Sequence, residues 1–265
     1  MNDTDEFKCE DKKRKSGLLI VNADDWGRDK QTTDRMLECL LRRTVSSVSA
    51  MVFMSDSERS AQLAREHGVD AGLHLNLSLA FSAPQCPPKV REQQRKLVSY
   101  LTRHPLARVM FHPGLLNAFD YVVKAQLDEF SRLFGGSAKR IDGHHHLHLC
   151  SNVLFAGLLP KGGLVRRNFS FQPGEKSLVN RLYRKAIDSR LARRHRIVDC
   201  LFTLAPLDAR ARLERIRLLA QTQIVEVETH PVNSDEYKFL TGDAVNRWIG
   251  STPIASGFLM AIGEG

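Results

Sequence analysis

Short apolar runs alternate with longer amphipathic stretches along almost the whole chain, and this alternation narrows the possible folds more than any other feature. Residues 17–23, Gly-Leu-Leu-Ile-Val-Asn-Ala, are short, β-branched towards their end and halted by Asp24 and Asp25, the profile of a buried strand. Residues 33–43 then set Met36, Leu37, Leu40 and Leu41 at helical spacing. Residues 46–54 read as a second strand. Ser55-Asp-Ser-Glu58 follows with the capping-box pattern, in which hydroxyl and carboxylate satisfy each other's backbone donors, so a helix to about Glu66 is expected. Further strands are expected over 69–77, 139–142, 164–166, 196–203 and 223–228, with helices over 91–102, 119–133 and 208–221. The prolines of 81–89 mark a loop, and Gly135-Gly136 ends the 119–133 helix. Strands that alternate with helices pair in parallel through helical crossovers. A length of 265 residues accommodates one TIM-like α/β barrel, expected over 17–265 after a solvated tail at 1–16.

Charge and cysteine usage limit the surroundings. Residues 1–16 carry five acidic and five basic side chains and no apolar stretch, so they do not read as a signal peptide. No apolar run approaches the roughly 20 residues that cross a bilayer. The five cysteines are scattered, odd in number and without a CxxC pair, which argues against a disulfide framework or zinc knuckle and for a reducing, cytoplasmic setting. The net charge of +9 is uneven: between Lys161 and Arg196, eleven Lys or Arg face two acids, Glu175 and Asp188. Within that segment, 181–196 reads as a helix with a basic face. Such a face is either simply solvated or meets nucleic acid, an anionic membrane surface or a phosphorylated substrate.

Unusual polar residues fall at the ends of the expected strands. Asp24 and Asp25 follow the first, His74 lies near the end of the third, Asp142-Gly-His-His-His-Leu-His148 follows another, then Arg166-Arg167, then Glu228-Thr-His-Pro231. In a parallel barrel those ends open on one face, where active sites form. Adjacent carboxylates such as Asp24-Asp25 repel unless a cation relieves them, leaving one free to act as a base. Taken alone, the pair also suits a turn or a helix cap, and a lone histidine such as His74 also suits a core. The His144–His148 run offers neutral imidazoles to one metal ion in two ways: 144, 146 and 148 share a face if extended, 144 and 148 if helical. Pro231 ends the last strand and leaves His230 at the rim, placed to give up a proton. Arg166 and Glu228, at two further strand ends, are the candidates for substrate contact, with a surface salt bridge the alternative for Arg166.

Four segments, 21–27 (Val-Asn-Ala-Asp-Asp-Trp-Gly), 72–77 (Gly-Leu-His-Leu-Asn-Leu), 142–148 and 226–231 (Glu-Val-Glu-Thr-His-Pro), resemble in order the motifs of the YdjC family of carbohydrate deacetylases. This group includes chitooligosaccharide deacetylases and is related to the polysaccharide deacetylases. The resemblance implies a β/α barrel with fewer than eight strands, often dimeric, acting on N-acetylglucosamine-type sugars. It implies one divalent metal ion held by Asp25, His74 and His144, with Asp24 as general base and His230 as general acid. Trp26 replaces a more typical phenylalanine, and Val232 a common glycine; both are expected to reshape the sugar pocket. One carboxylate and two imidazoles suit Zn²⁺, or Mg²⁺ with waters completing its shell. The rival readings are a metal-dependent sugar isomerase, and an idle barrel that binds nucleic acid or an acidic glycan through residues 161–196. The Asp-Asp pair and the histidines favour hydrolysis, and occupation of every expected catalytic position makes nucleic acid the weaker partner.

Overall fold

The computed structural model describes residues 17–103, 105–172 and 174–258; the expected tail at 1–16 lies outside them. Seven parallel strands form one sheet: β1 (Leu18–Trp26), β2 (Ser47–Ala50), β3 (Ala71–Leu75), β4 (Arg140–Gly143), β5 (Leu164–Val165), β6 (Cys200–Thr203) and β7 (Ile224–Thr229). Their order is β5-β4-β3-β2-β1-β7-β6. Residues 196–199 span the gap between the edges. Arg196 forms a parallel bridge with Leu164, the Val165 N–H donates to the Arg196 carbonyl at 2.9 Å, and the Asp199 N–H donates to Ile224 of β7 at 3.1 Å. The sheet is a distorted TIM-like barrel with fewer than eight strands, as the strand–helix alternation predicts.

The helices are α1 (Lys30–Leu41), α2 (Ser57–Glu66), α3 (Pro88–Arg103), α4 (Leu116–Phe134), α5 (Ser151–Ala156), α6 (Leu178–Ala192), α7 (Arg210–Leu219), α8 (Ser234–Thr241) and α9 (Asp243–Ile249). Alternate strand residues meet them. Leu19, Val21 and Ala23 of β1, Val48 of β2, Leu73 of β3 and Val227 of β7 join Met36 of α1, Ala61 of α2, Val122 of α4 and Ile216 of α7 in the main core. The opposite parity points into the barrel. At one end Ile20 and Leu164 pack with Val198, Ala255 and Phe258. Towards the carboxyl ends of the strands the same faces carry Asn22 and Asp24, Ser47 and Ser49, His74, Arg140 and Asp142, Arg166, Glu226 and Glu228, all buried.

Several elements differ from expectation for tertiary reasons. β1 does not stop at the two aspartates but runs through them to Trp26. β2 is only Ser47–Ala50, and the chain then turns. The capping box does not form: the Ser55 N–H donates to Ser82 Oγ at 2.9 Å, its hydroxyl donates to the Arg28 carbonyl at 3.2 Å, and Glu58 is taken by Arg132 of α4. Ser57 Oγ instead accepts from the Met54 N–H at 2.9 Å. At the end of α4, Gly135 takes the left-handed φ of 75° and its N–H donates to Ser131, so the expected glycine stop is real. Among the described residues, no helix is long and apolar enough to cross a membrane, and Cys39, Cys86, Cys150 and Cys200 are unpaired.

Candidate active site

Successive strand residues point to opposite faces, so Asp24 and Asp25 should not share a site. A bulge resolves this. The register of β1 on β2 shifts between Asp24 and Trp26, and Asp25 takes φ 76°, a left-handed conformation that costs a non-glycine residue about 1–3 kcal/mol. Both carboxylates then lie beside His74: Asp24 Oδ2 is 3.9 Å from Nδ1 and Asp25 Oδ1 is 3.4 Å from Nε2. The remaining Asp25 oxygen accepts from Arg28 at 2.8 Å.

His144, just past β4, brings its Nδ1 to 3.1 Å from Asp25 Oδ1. Asp25, His74 and His144 therefore each offer one ligand atom within 4.8 Å of the others, a grouping that could hold a metal ion. Two further observations fit a cation there. Asp25 Oδ1 and His74 Nε2 are buried without any hydrogen-bond partner, an expensive state for polar atoms. His74 Nδ1 lies 2.7 Å from Asp142 Oδ1, and donation across that contact leaves Nε2 as a free lone pair, the arrangement that orients a metal-binding imidazole. Burial opposes a charge on His74, but Asp24, Asp142 and Asp25 push its pKa up to about 10. Burial likewise opposes ionisation of Asp25, yet the nearby rings of His144 and His74, 3.1 and 3.4 Å from its Oδ1, hold its carboxyl well below the usual carboxylate range. The cluster thus calls for positive charge, whether a proton on His74 or a cation among the three atoms.

Behind this cluster lies a buried ionic network. Arg166 is 1% exposed and grips Asp24 with two bonds of 2.6 and 2.8 Å. It also donates to Glu226 at 2.7 Å and Glu228 at 3.1 Å, and approaches Asp142 at 3.3 Å. Despite burial, these anions hold its pKa well above the usual value. Arg140 donates to Asp142 at 2.7 Å and to Ser49, and Ser49 in turn donates to Asp142 at 2.6 Å. Gly72 lets that guanidinium pass, since a Cβ there would stand 2.7 Å from Arg140 Cζ. Four carboxylates, Asp24, Asp142, Glu226 and Glu228, thus share two guanidiniums. One of them yields: burial pushes Glu226 up to about 7.

The histidine run takes neither of its two expected shapes. Residues 144–149 form a tight turn in which His145 and His146 have φ 55° and 56°, so each ring leaves in its own direction. His144 joins the Asp25 cluster, and His145 Nδ1 contacts Ser78 Oγ at 3.0 Å. His146 Nε2 meets Glu228 at 3.1 Å. His148 is fully buried, with Nε2 2.9 Å from the Arg166 carbonyl, and burial drives its pKa down to about 3. His230 stands at the rim with its side chain 29% exposed, 3.9 Å from Glu228.

A family model described as YdjC-like protein matches residues 18–250. The chain belongs to the YdjC-like family. This YdjC-like chain is 33% identical over 168 residues to a carbohydrate deacetylase of Mus musculus, an alignment covering 60% of this chain and 52% of that one. It is also 33% identical over 133 residues to a chitooligosaccharide deacetylase of Serratia marcescens, covering 50% and 51%. The chain spans about half the length of these relatives. Among solved structures, one from Enterococcus faecalis V583, named for cellobiose-phosphate cleavage, superposes with a TM-score of 0.64. It covers 91% of this chain and 97% of that one at 18% identity, which supports the fold alone.

The YdjC-like barrel brings Asp24, Asp25, His74, His144, Arg166, Glu228 and His230 to one end of its interior. Arg166 matches neither sequence alternative, sugar contact or surface salt bridge, because carboxylates from three other strands occupy a guanidinium that solvent hardly reaches. Trp26 does not face a sugar pocket either. It is fully buried, and its indole N–H donates to the Ser60 carbonyl of α2 at 3.0 Å. Arg140 and Ser49 escaped sequence reasoning, although Arg140 stands two residues before Asp142 and so on the same face of its strand.

Proposed function

We propose that this chain is a metal-dependent N-deacetylase that hydrolyses the acetamide of an N-acetylglucosamine-type sugar. The observation that carries this reading is the convergence of two buried, unpartnered atoms, Asp25 Oδ1 and His74 Nε2, on His144 Nδ1. The names of the mouse and Serratia relatives supply the reaction class. Asp25, His74 and His144 would hold the divalent cation, Zn²⁺ or Mg²⁺. When bound, such an ion makes water nucleophilic at neutral pH and polarises the acetyl oxygen.

The chain's own groups divide the proton work. Asp24, fixed bidentately by Arg166, takes a proton from the attacking water as its oxygen bonds to the acetyl carbon. His230 gives a proton to the sugar nitrogen as the C–N bond breaks, so that acetate and a free amine leave. Each such group contributes about 10²–10⁴-fold in rate. Arg166 acts as a positioning residue, tying Asp24 to the same cation that holds Glu228. Glu228 lies between His146 and His230 and orients the rim. The unpaired cysteines support a reducing, cytoplasmic setting.

The test is acetate release from N-acetylated chito-oligosaccharides by metal-stripped protein, with Zn²⁺ or Mg²⁺ restored and His74→Ala as control. Activity that returns with metal and is absent from the variant supports the reading. Stoichiometric metal binding with no acetate from any N-acetylated sugar overturns it.

A further inference from the structure

The basic helix has no part in the proposed chemistry, and it leaves an apolar face uncovered. In α6, Leu178, Val179, Leu182 and Tyr183 are 66, 77, 57 and 42% exposed. Their spacing of i, i+1, i+4 and i+5 puts them on one side of the helix, while Ile187 and Leu191 further along pack inward. A second protrusion, Val109, Met110 and Phe111, is 45, 58 and 44% exposed. The two are neighbours: Val109 and Tyr183 line one cavity of about 240 Å³ together with Arg108, Arg184, His145 and His146. That cavity reaches the candidate site, because His146 contacts Glu228. Single exposed apolar residues are ordinary, but a clustered set beside a site mouth marks a surface that something covers.

Charge identifies the cover. Arg108, Arg181 and Lys185 have no ion-pair partner among the described residues, and the acid on α6, Asp188, is already held by Arg167. A second copy docked symmetrically would set these cations against their own equivalents. Nucleic acid would suit the cations but gives protruding Leu and Val side chains nothing to enter. We infer that this face, α6 with residues 109–111, docks on an anionic lipid bilayer, its aliphatic side chains entering the acyl boundary while the arginines and lysine meet the headgroups. The mouth beside His145 and His146 then opens towards the membrane surface.

Sedimentation with vesicles of phosphatidylcholine, alone or mixed with phosphatidylglycerol, tests this on the full chain. The expected result is salt-sensitive binding to the mixed vesicles only. The double substitution Val179→Asp with Leu182→Asp should weaken that binding roughly tenfold or more, while acetate release from a soluble N-acetylated oligosaccharide stays unchanged. That last assay reads the deacetylase proposal separately, so either proposal can fail alone. Absence of binding to the anionic vesicles would overturn the inference, as would equal binding to both kinds. It would also be overturned if the wild type were a dimer that the double substitution splits, or if a nucleic acid bound while the vesicles did not.

Discussion

The two ends of the barrel interior are built from the same strands yet obey opposite rules. At one end Ile20 and Leu164 close with Phe258 into a small apolar cluster. Two residues further along the same faces, Asn22 follows Ile20 and Arg166 follows Leu164, and the interior becomes a set of buried charges. The apolar end gains stability from every methylene withdrawn from water. The polar end removes ions from water, which costs several kcal/mol per ion before pairing repays it. A barrel that needed only to be stable would carry the apolar rule throughout, so the switch of rule along each strand marks where the molecule is organised for chemistry.

Substitutions at the two ends should therefore fail in different ways. The largest effect is expected for Asp24→Asn, with kcat for acetate release falling about 10²–10⁴-fold while circular dichroism still reports a folded chain. A variant with wild-type kcat would remove Asp24 from the role of base. Ile20→Ala should do the reverse, costing about 2–5 kcal/mol in urea unfolding with kcat unchanged under native conditions. Asp142→Asn probes the seam between the two behaviours. It touches no substrate in this scheme, yet loss of its grip on His74 Nδ1 should weaken metal affinity about 10–100-fold by calorimetry.

The smallest effect concerns pH. His148 binds a proton near its ordinary value when unfolded but only at about 3 when folded. In between, the unfolded chain holds more protons, so this group's contribution to stability falls as pH falls, by about 2 kcal/mol at roughly pH 5. Glu226 has the opposite sign: its folded pKa is pushed up to about 7, so it favours the folded state in acid and loses that contribution as pH rises. Urea unfolding of His148→Asn and Glu226→Gln across this range should bend the wild-type profile in opposite directions. Parallel profiles would show that the interior is wetter than its burial implies.

The layers of this fold were legible because they depend on local periodicity. The short apolar run of 17–23 marks a strand buried on both faces, the helical spacing of Met36, Leu37 and Leu40 marks a helix with one face on the core, and β1 and α1 lie there. The gathering of strand-end residues was legible for the same reason, since parallel strands share one carboxyl end. What escaped depends on partners far away in sequence. Nothing near Arg166 announces that carboxylates of β1, β4 and β7 will enclose it. Ser55 and Glu58 were drawn to Ser82 and Arg132 and so left their capping pattern unused. The positive φ values at His145 and His146, which scatter the histidine rings, leave no trace in side-chain polarity.

The bulge at Asp25 has a consequence for anyone who selects variants of this protein. A backbone twisted into the left-handed region, at a buried side chain with one oxygen left unpartnered, is a place where many replacements relax the molecule. Glycine and asparagine accept that twist readily. A library enriched for heat resistance alone would be drawn to this codon and would return robust proteins without the carboxylate proposed to hold an ion. Selection on turnover would restore the aspartate together with its strain. The two screens run on one library would pull a single position apart, and the distance between their winners would measure how far this fold has been bent to its task.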